Sequence, residues 1–231
     1  MLKLRLFGFP LHIHATFLIL GLFVLDAGFG GVGVMLWIAA AFLSVLVHEL
    51  GHAFTARLLG GTVERVTIHG IGGTTFWAAP WMNKSLGKRF LVAAAGSGLE
   101  VAVALGVFSL VRAGVFGFEA ELFIESPFTV YIVNILQEEL WVEFFLGMFI
   151  WISVVWGLLN WLPIGGLDGS HMLAVLIEKL LPGRGRFHAA VIGLAVAAVA
   201  AWWFFDRGYR FAPIIFLLFA VQEFSAARAQ G

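Results

Sequence analysis

Residues 34–58 read VMLWIAAAFLSVLVHELGHAFTARL, an apolar run interrupted by His48, Glu49 and His52 and closed by Arg57. A membrane-crossing helix needs about 20 mostly apolar residues, and this run supplies them. On a helix, residues four apart share a face, so His48 and His52 can present imidazole nitrogens to one ion. Glu49, beside the first of them, is placed to act as general base toward a water in the metal's open position. Gly51 leaves room for a substrate or a neighbouring helix. Ionisable groups inside a span are expensive and mark function far more often than structure. Read blandly, the stretch would be two helix-end histidines and a stray glutamate, at the cost of three intramembrane polar groups.

The rest of the chain agrees with a lipid environment. Of 231 residues, 61% are hydrophobic and 12% charged, with a mean hydropathy of +0.98. Soluble domains are about half apolar and a quarter charged, so there is too little polar surface here for a water-soluble globule. Fourteen basic residues balance fourteen acidic ones, which leaves no bulk field directed at nucleic acid. Cysteine is absent; disulfides, thiolate metal sites and a catalytic thiol are thereby excluded.

Apolar stretches lie near 11–31, 34–58, 90–111, 141–162, 187–205 and 211–227. The expected fold is an all-α polytopic membrane protein of about six transmembrane helices with a small β-sheet at the cytoplasmic side. Residues 1–231 read as one transmembrane domain, with core helices over 11–169 and C-terminal helices over 187–227. The first stretch lacks a small-x-small cleavage site, so a removable signal is not expected. Lys3 and Arg5, the group Arg57, Arg65, Lys84, Lys88 and Arg89, and the group Lys179, Arg184 and Arg186 all fall on one side of a six-span layout. By the positive-inside rule that side is cytoplasmic, as are both termini. Arg207 and Arg210 depart from the pattern. Residues 62–79 alternate β-branched and polar residues around Gly72-Gly73, which reads as two strands with a turn. Residues 1–14 read as partly extended. Residues 114–140 read as an amphipathic segment along the opposite surface. Ala189, Gly193 and Ala197 form a small-residue face suited to tight helix packing.

Two histidines leave a catalytic zinc one protein ligand short. The downstream stretch Asn160-Trp161-Leu162-Pro163-Ile164-Gly165-Gly166-Leu167-Asp168-Gly169 holds the candidate. Pro163 and the glycine pair break the helix, and irregular backbone at membrane depth is tolerated where it is buried or lines a cavity. Asp168 follows the break. The other two aspartates, Asp26 and Asp206, fall on the opposite side. In the six-span layout His52 and Asp168 both lie toward the cytoplasmic end, so the three ligands can share one depth.

With HELGH at 48–52 and the NxxP…LDG stretch at 160–169, the chain resembles the site-2 proteases, a family of intramembrane zinc metalloproteases. FPLHIHATFLIL near the N-terminus and the glycine-containing strand pair after the HELGH helix fit the same family. The resemblance implies that His48, His52 and Asp168 bind one zinc ion and that Glu49 is the catalytic base. It further implies that Asn160 holds the reacting carbonyl or its oxyanion. Substrates would be single-span membrane proteins, cut in or near their membrane segments within the lipid bilayer of a prokaryotic cell. A two-His, one-carboxylate set also suits iron; the HExxH spacing and its base favour zinc.

The chain departs from the family in two places. Many relatives carry GPxxN in the third span, where this chain has Gly96-Ser97-Gly98-Leu99-Glu100. Glu100 there reads as a neutral, protonated hydrogen-bond partner or a cavity residue. Ser170 stands where a second glycine often follows LDG. His12, His14, His69 and His188 read as interfacial, and His171 as a possible neighbour of the site. A metal transporter is the competing class, but it would favour staggered ligand sets and has no need of Glu49. A non-cleaving relative that only binds membrane segments is the third.

Overall fold

In the computed structural model, residues 1–27, 30–70, 72–82, 84–116, 141–208 and 211–228 are described. The N-terminus opens with strands β1 (Leu2–Leu6) and β2 (Phe9–Ile13), paired antiparallel from Leu2↔Ile13 to Leu6↔Phe9. Phe7 and Gly8, between them, both adopt positive φ, +52° and +84°. That is the backbone of a two-residue turn whose twist matches the strands it joins. A 3-10 helix over Ala15–Ala27 then leads to the long helix α1 (Gly30–Leu58). Strands β3 (Thr62–His69) and β4 (Gly72–Ala78) form a second antiparallel hairpin.

The two hairpins make one sheet in the order β1-β2-β3-β4. β2 and β3 are parallel, with Leu11↔Val66 and Ile13↔Ile68 in register. Parallel neighbours require a long crossover connection, and here it is the 3-10 helix plus α1. One sheet face carries Phe9, Leu11, Val66 and Ile68 into a buried cluster with Val45, Leu50 and Ala53 of α1. At the end of α1, Arg57 donates to the Phe7 carbonyl at 3.1 Å and lies 4.1 Å above the Phe9 ring. The hairpin is thus pinned to the last turn of the HELGH helix.

Helices α2 (Leu86–Arg112) and α3 (Trp141–Asn160) follow, then α4 (Asp168–Leu180), α5 (Gly185–Asp206) and α6 (Phe211–Arg228). The chain divides into two units. One comprises Met1–Ala78 and Gly96–Gly157, the other Ala79–Ala95 and Leu158–Gly231. In the second unit Ile164, Leu167, Ala197, Phe216 and Ala220 form the core. Ala189, Gly193 and Ala197 are all buried there, and a Cβ at Gly193 would stand 2.5 Å from the Pro163 carbonyl oxygen. The small-residue face does the packing its sequence suggested.

Four helices among the described residues, α1, α2, α3 and α5, are long and apolar enough to cross a bilayer. Trp202, Phe205 and Val199 of α5 are each more than 60% exposed, a surface suited to lipid rather than water. The expected first span over 11–31 divides instead between β2 and the 3-10 helix. Hydropathy cannot separate these, because the alternating Phe9, Leu11 and Ile13 are apolar for sheet pairing rather than for spanning. In the second hairpin the register pairs His69 with Gly72, so Gly72 and Gly73 begin β4 rather than forming the turn. The segment expected over 114–140 lies outside the described residues beyond Phe116.

Candidate metal centre

On α1 the four-residue spacing stacks Ser44, His48 and His52 on one face, all three buried. Nε2 of His48 and Nε2 of His52 stand 3.1 Å apart. Two nitrogens bound at about 2.0–2.1 Å to one tetrahedral zinc would be roughly 3.3 Å apart, so the pair fits a shared ion with little movement. Helix α2 passes this point with a glycine. A Cβ at Gly96 would fall on His52 Nε2 and lie 2.8 Å from His48 Nε2. Only a hydrogen on α2 leaves the two nitrogens the room into which they point.

Behind His48, the Nδ1 atom is 2.9 Å from Oε2 of Glu100. With Glu100 as a carboxylate, which can only accept, Nδ1 carries the proton and Nε2 keeps its lone pair. Ser44 Oγ donates to Oε1 of Glu100 at 2.6 Å, and Ser153 Oγ of α3 donates to Ser44 Oγ at 3.0 Å. Glu100, Ser44 and Ser153 are fully buried. Sequence reading leaves Glu100 between a neutral hydrogen-bond partner and a cavity residue; it is hydrogen-bonded through both oxygens. Spacing alone puts Ser44 on the face of His48, and the packing of α2 against α1 brings Glu100 to both.

Glu49 lies one residue round the helix from His48 and faces the sheet. Its Oε2 is 2.6 Å from Thr75 Oγ1, and its main-chain oxygen is 3.0 Å from the same hydroxyl. A Cβ at Gly73 would lie 2.6 Å from Oε1 of Glu49. Strand β4 therefore shapes the carboxylate from two positions, a hydroxyl that holds it and a glycine that admits it. Neither Thr75 nor Gly73 could be singled out from sequence, because strand pairing and not spacing brings them to α1.

Asn160 and Asp168 belong to the second unit. Asn160 is the buried last residue of α3. Residues 161–167 then break the helix, with Gly166 at φ +83°, and α4 begins at Asp168 itself after an extended Leu167. A carboxylate in a first helical turn is favoured by the helix dipole. A Cβ at Gly169 would fall on the carbonyl oxygens of Trp161 and Leu162, so the glycine of LDG lets the loop fold against the start of α4. Ser170 Oγ donates to the Leu167 carbonyl at 2.8 Å, a local bond that a glycine would lack. His171 is exposed.

Comparison with known proteins gives consistent results. Rip3 of Mycobacterium tuberculosis is 27% identical over 211 residues, which take in 84% of this chain and 48% of that protein. The chain therefore spans about half the length of that relative. Zinc metalloprotease MJ0392 of Methanocaldococcus jannaschii is 30% identical over 74 residues, 30% of this chain and 21% of that protein. The solved structure of the site-2 protease from Methanocaldococcus jannaschii shares the fold, with a TM-score of 0.59 at 19% identity over 99% of this chain and 94% of that one. The model of peptidase family M50 matches residues 36–201, the HELGH helix and the LDG stretch included. With so much of its length matched, the chain belongs to peptidase family M50.

Proposed function

We propose that the protein is an intramembrane zinc metalloprotease that hydrolyses peptide bonds in or near the membrane segments of single-span proteins. The observation that carries this reading is on α1: two ring nitrogens 3.1 Å apart, facing room kept open by Gly96, with the Glu49 carboxylate held beside them. His48 and His52 supply two ligands, and Asp168 supplies the third to one zinc per chain. Zinc held there supplies a Lewis acid, which brings the pKa of water to about 7 and polarises a carbonyl. Glu49 takes the proton from the attacking water and returns it to the leaving amine. Asn160 donates to the oxygen on which negative charge develops.

A membrane-spanning helix hides its peptide groups in internal hydrogen bonds, so the substrate must unwind locally before it is cut. Among the described strands, β4 has one edge unpaired, and Glu49 is bonded to that strand. An unwound segment added to this edge would be held by main-chain bonds with little demand on its sequence. Proline substitutions that leave both edges of the 66–77 region functional would sink this capture step.

In this reading the whole chain is one protease domain in a prokaryotic cell membrane, with six spans. The 3-10 helix and α6 add to the four long helices, and the sheet and both termini are cytoplasmic. The deciding experiment incubates purified zinc-loaded protein with a single-span substrate. Cleavage is expected, and Glu49→Gln should abolish it while zinc stays bound. An intact substrate together with zinc flux into liposomes would replace the protease with a transporter.

A further inference from the structure

We propose that Glu100 is a positioning residue for the metal centre: its carboxylate grips Nδ1 of His48, fixing the ring's rotation and tautomer so that Nε2 faces the ion. The inference rests on His48 being a zinc ligand and assigns a role to a residue that departs from the family's pattern. Both oxygens of Glu100 are engaged, Oε2 by His48 at 2.9 Å and Oε1 by Ser44 at 2.6 Å. Because Ser44 and His48 lie one above the other on α1, a single carboxylate from α2 spans them. Helix α3 supplies the back wall. Ser153 bonds to Ser44 at 3.0 Å, and a Cβ at Gly157, four residues on, would lie 3.4 Å from Oε2 of Glu100. Ser153 thus braces the hydroxyl that holds the carboxyl, and Gly157 lets α3 close on α2, since a Cβ there would stand 2.7 Å from Val101 Cγ2.

A buried carboxyl with no task would be an expensive way to join three helices at membrane depth. Here its Oε2 meets Nδ1, the His48 ring nitrogen turned away from His52. A histidine ligand's second nitrogen is commonly bonded to a carboxylate, which orients the ring and raises its basicity. Glu100 gives that support from a different helix, with two serines setting its own rotation. An amide at this position would offer one acceptor oxygen and no charge.

The test is zinc affinity in detergent, by chelator competition, for wild type, Glu100→Gln, Glu100→Ala, His48→Ala and His52→Ala. It is paired with 15N spectra of histidine-labelled, zinc-free protein. Glu100→Ala should weaken zinc binding about 10- to 100-fold, and the His48 resonances should move from the Nδ1–H tautomer toward a mixture. Glu100→Gln keeps the shape and one acceptor, so it should fold, keep the tautomer and lose a smaller part of the affinity. If Glu100→Ala does not fold, the Glu100→Gln affinity decides, and wild-type binding by that variant overturns the proposal. Wild-type affinity and tautomer in folded Glu100→Ala overturn it as well, while leaving His48 a ligand. Undiminished zinc binding by both histidine variants instead removes the metal reading, and this proposal with it.

Discussion

The hydroxyl of Thr75 lies 2.6 Å from Oε2 of Glu49 and 3.0 Å from the main-chain oxygen of the same residue. It has one proton to give, and the shorter distance assigns it to the carboxylate. Glu49 is therefore aimed by a strand, while His48 is aimed by the Glu100 carboxylate of a helix.

Thr75→Val keeps the β-branched shape and removes that bond. A hydrogen bond to a charged group contributes about 1.5–3 kcal/mol. If the bond is as valuable when Glu49 acts, kcat should fall roughly 10- to 100-fold, with KM and bound zinc near wild type. Thr75→Ser should recover most of the rate. Steady-state kinetics with zinc analysis checks this, and an unchanged kcat in Thr75→Val would remove Thr75 from the machinery.

Gly96→Ala places a carbon against Nε2 of both His48 and His52, the nitrogens proposed to hold zinc. The helix itself should welcome alanine, which is better by about 1 kcal/mol in a helix interior. The expected result separates fold from site: circular dichroism and thermal stability are retained, while zinc binding falls by more than 100-fold. Metal analysis after dialysis against a weak chelator reads the difference. Retained stoichiometric zinc would mean that α2 can move aside.

Glu178 gives a pH prediction away from the membrane spans. Its carboxylate accepts the Gly183 N–H at 2.7 Å and the Gly185 N–H at 2.9 Å. These two bonds, Gly183 first, hold its pKa below the ordinary 4.5 against an opposing effect of burial, with a lesser lowering by the charge of Arg89. A carboxyl whose folded pKa is lowered contributes stability above its unfolded value, and loses it as pH falls through the folded one. The α4–α5 junction should therefore stay tied at neutral pH and loosen below about 4.5, near the unfolded value. Hydrogen exchange at Gly183 and Gly185 should show this acid dependence in wild type and not in Glu178→Gln. Equal protection in the two proteins at pH 7 would rule out the tie.

What could be read from the letters was the chemistry with a fixed spacing. His48, Glu49 and His52 are close because a helix makes them so, and the glycine–proline break before Asp168 is a local backbone effect. The second hairpin was legible from alternation, whereas the first showed only as a partly extended stretch. The parallel β2–β3 pairing was not legible, since it depends on where a long crossover returns the chain. Helix α4 escaped notice because thirteen amphipathic residues are too few for a span and carry no strong start signal beyond Asp168. Glu100 was visible as an oddity, and its meaning needed α1, α2 and α3 in contact. The expected first span was started too early, at residue 11, because an apolar strand and an apolar helix give the same hydropathy.

Gly73 and Gly96 have a consequence for how such chains should be classified. Each marks a place where one methyl group would collide with the proposed site, the first with the Glu49 side chain and the second with Nε2 of both His48 and His52. A sequence could keep HELGH, Asn160 and Asp168 letter for letter and still be a silent protease through either change. Motif matching would count that protein as active. The two glycines carry no chemistry of their own, yet they belong in any signature meant to tell working members from inert ones.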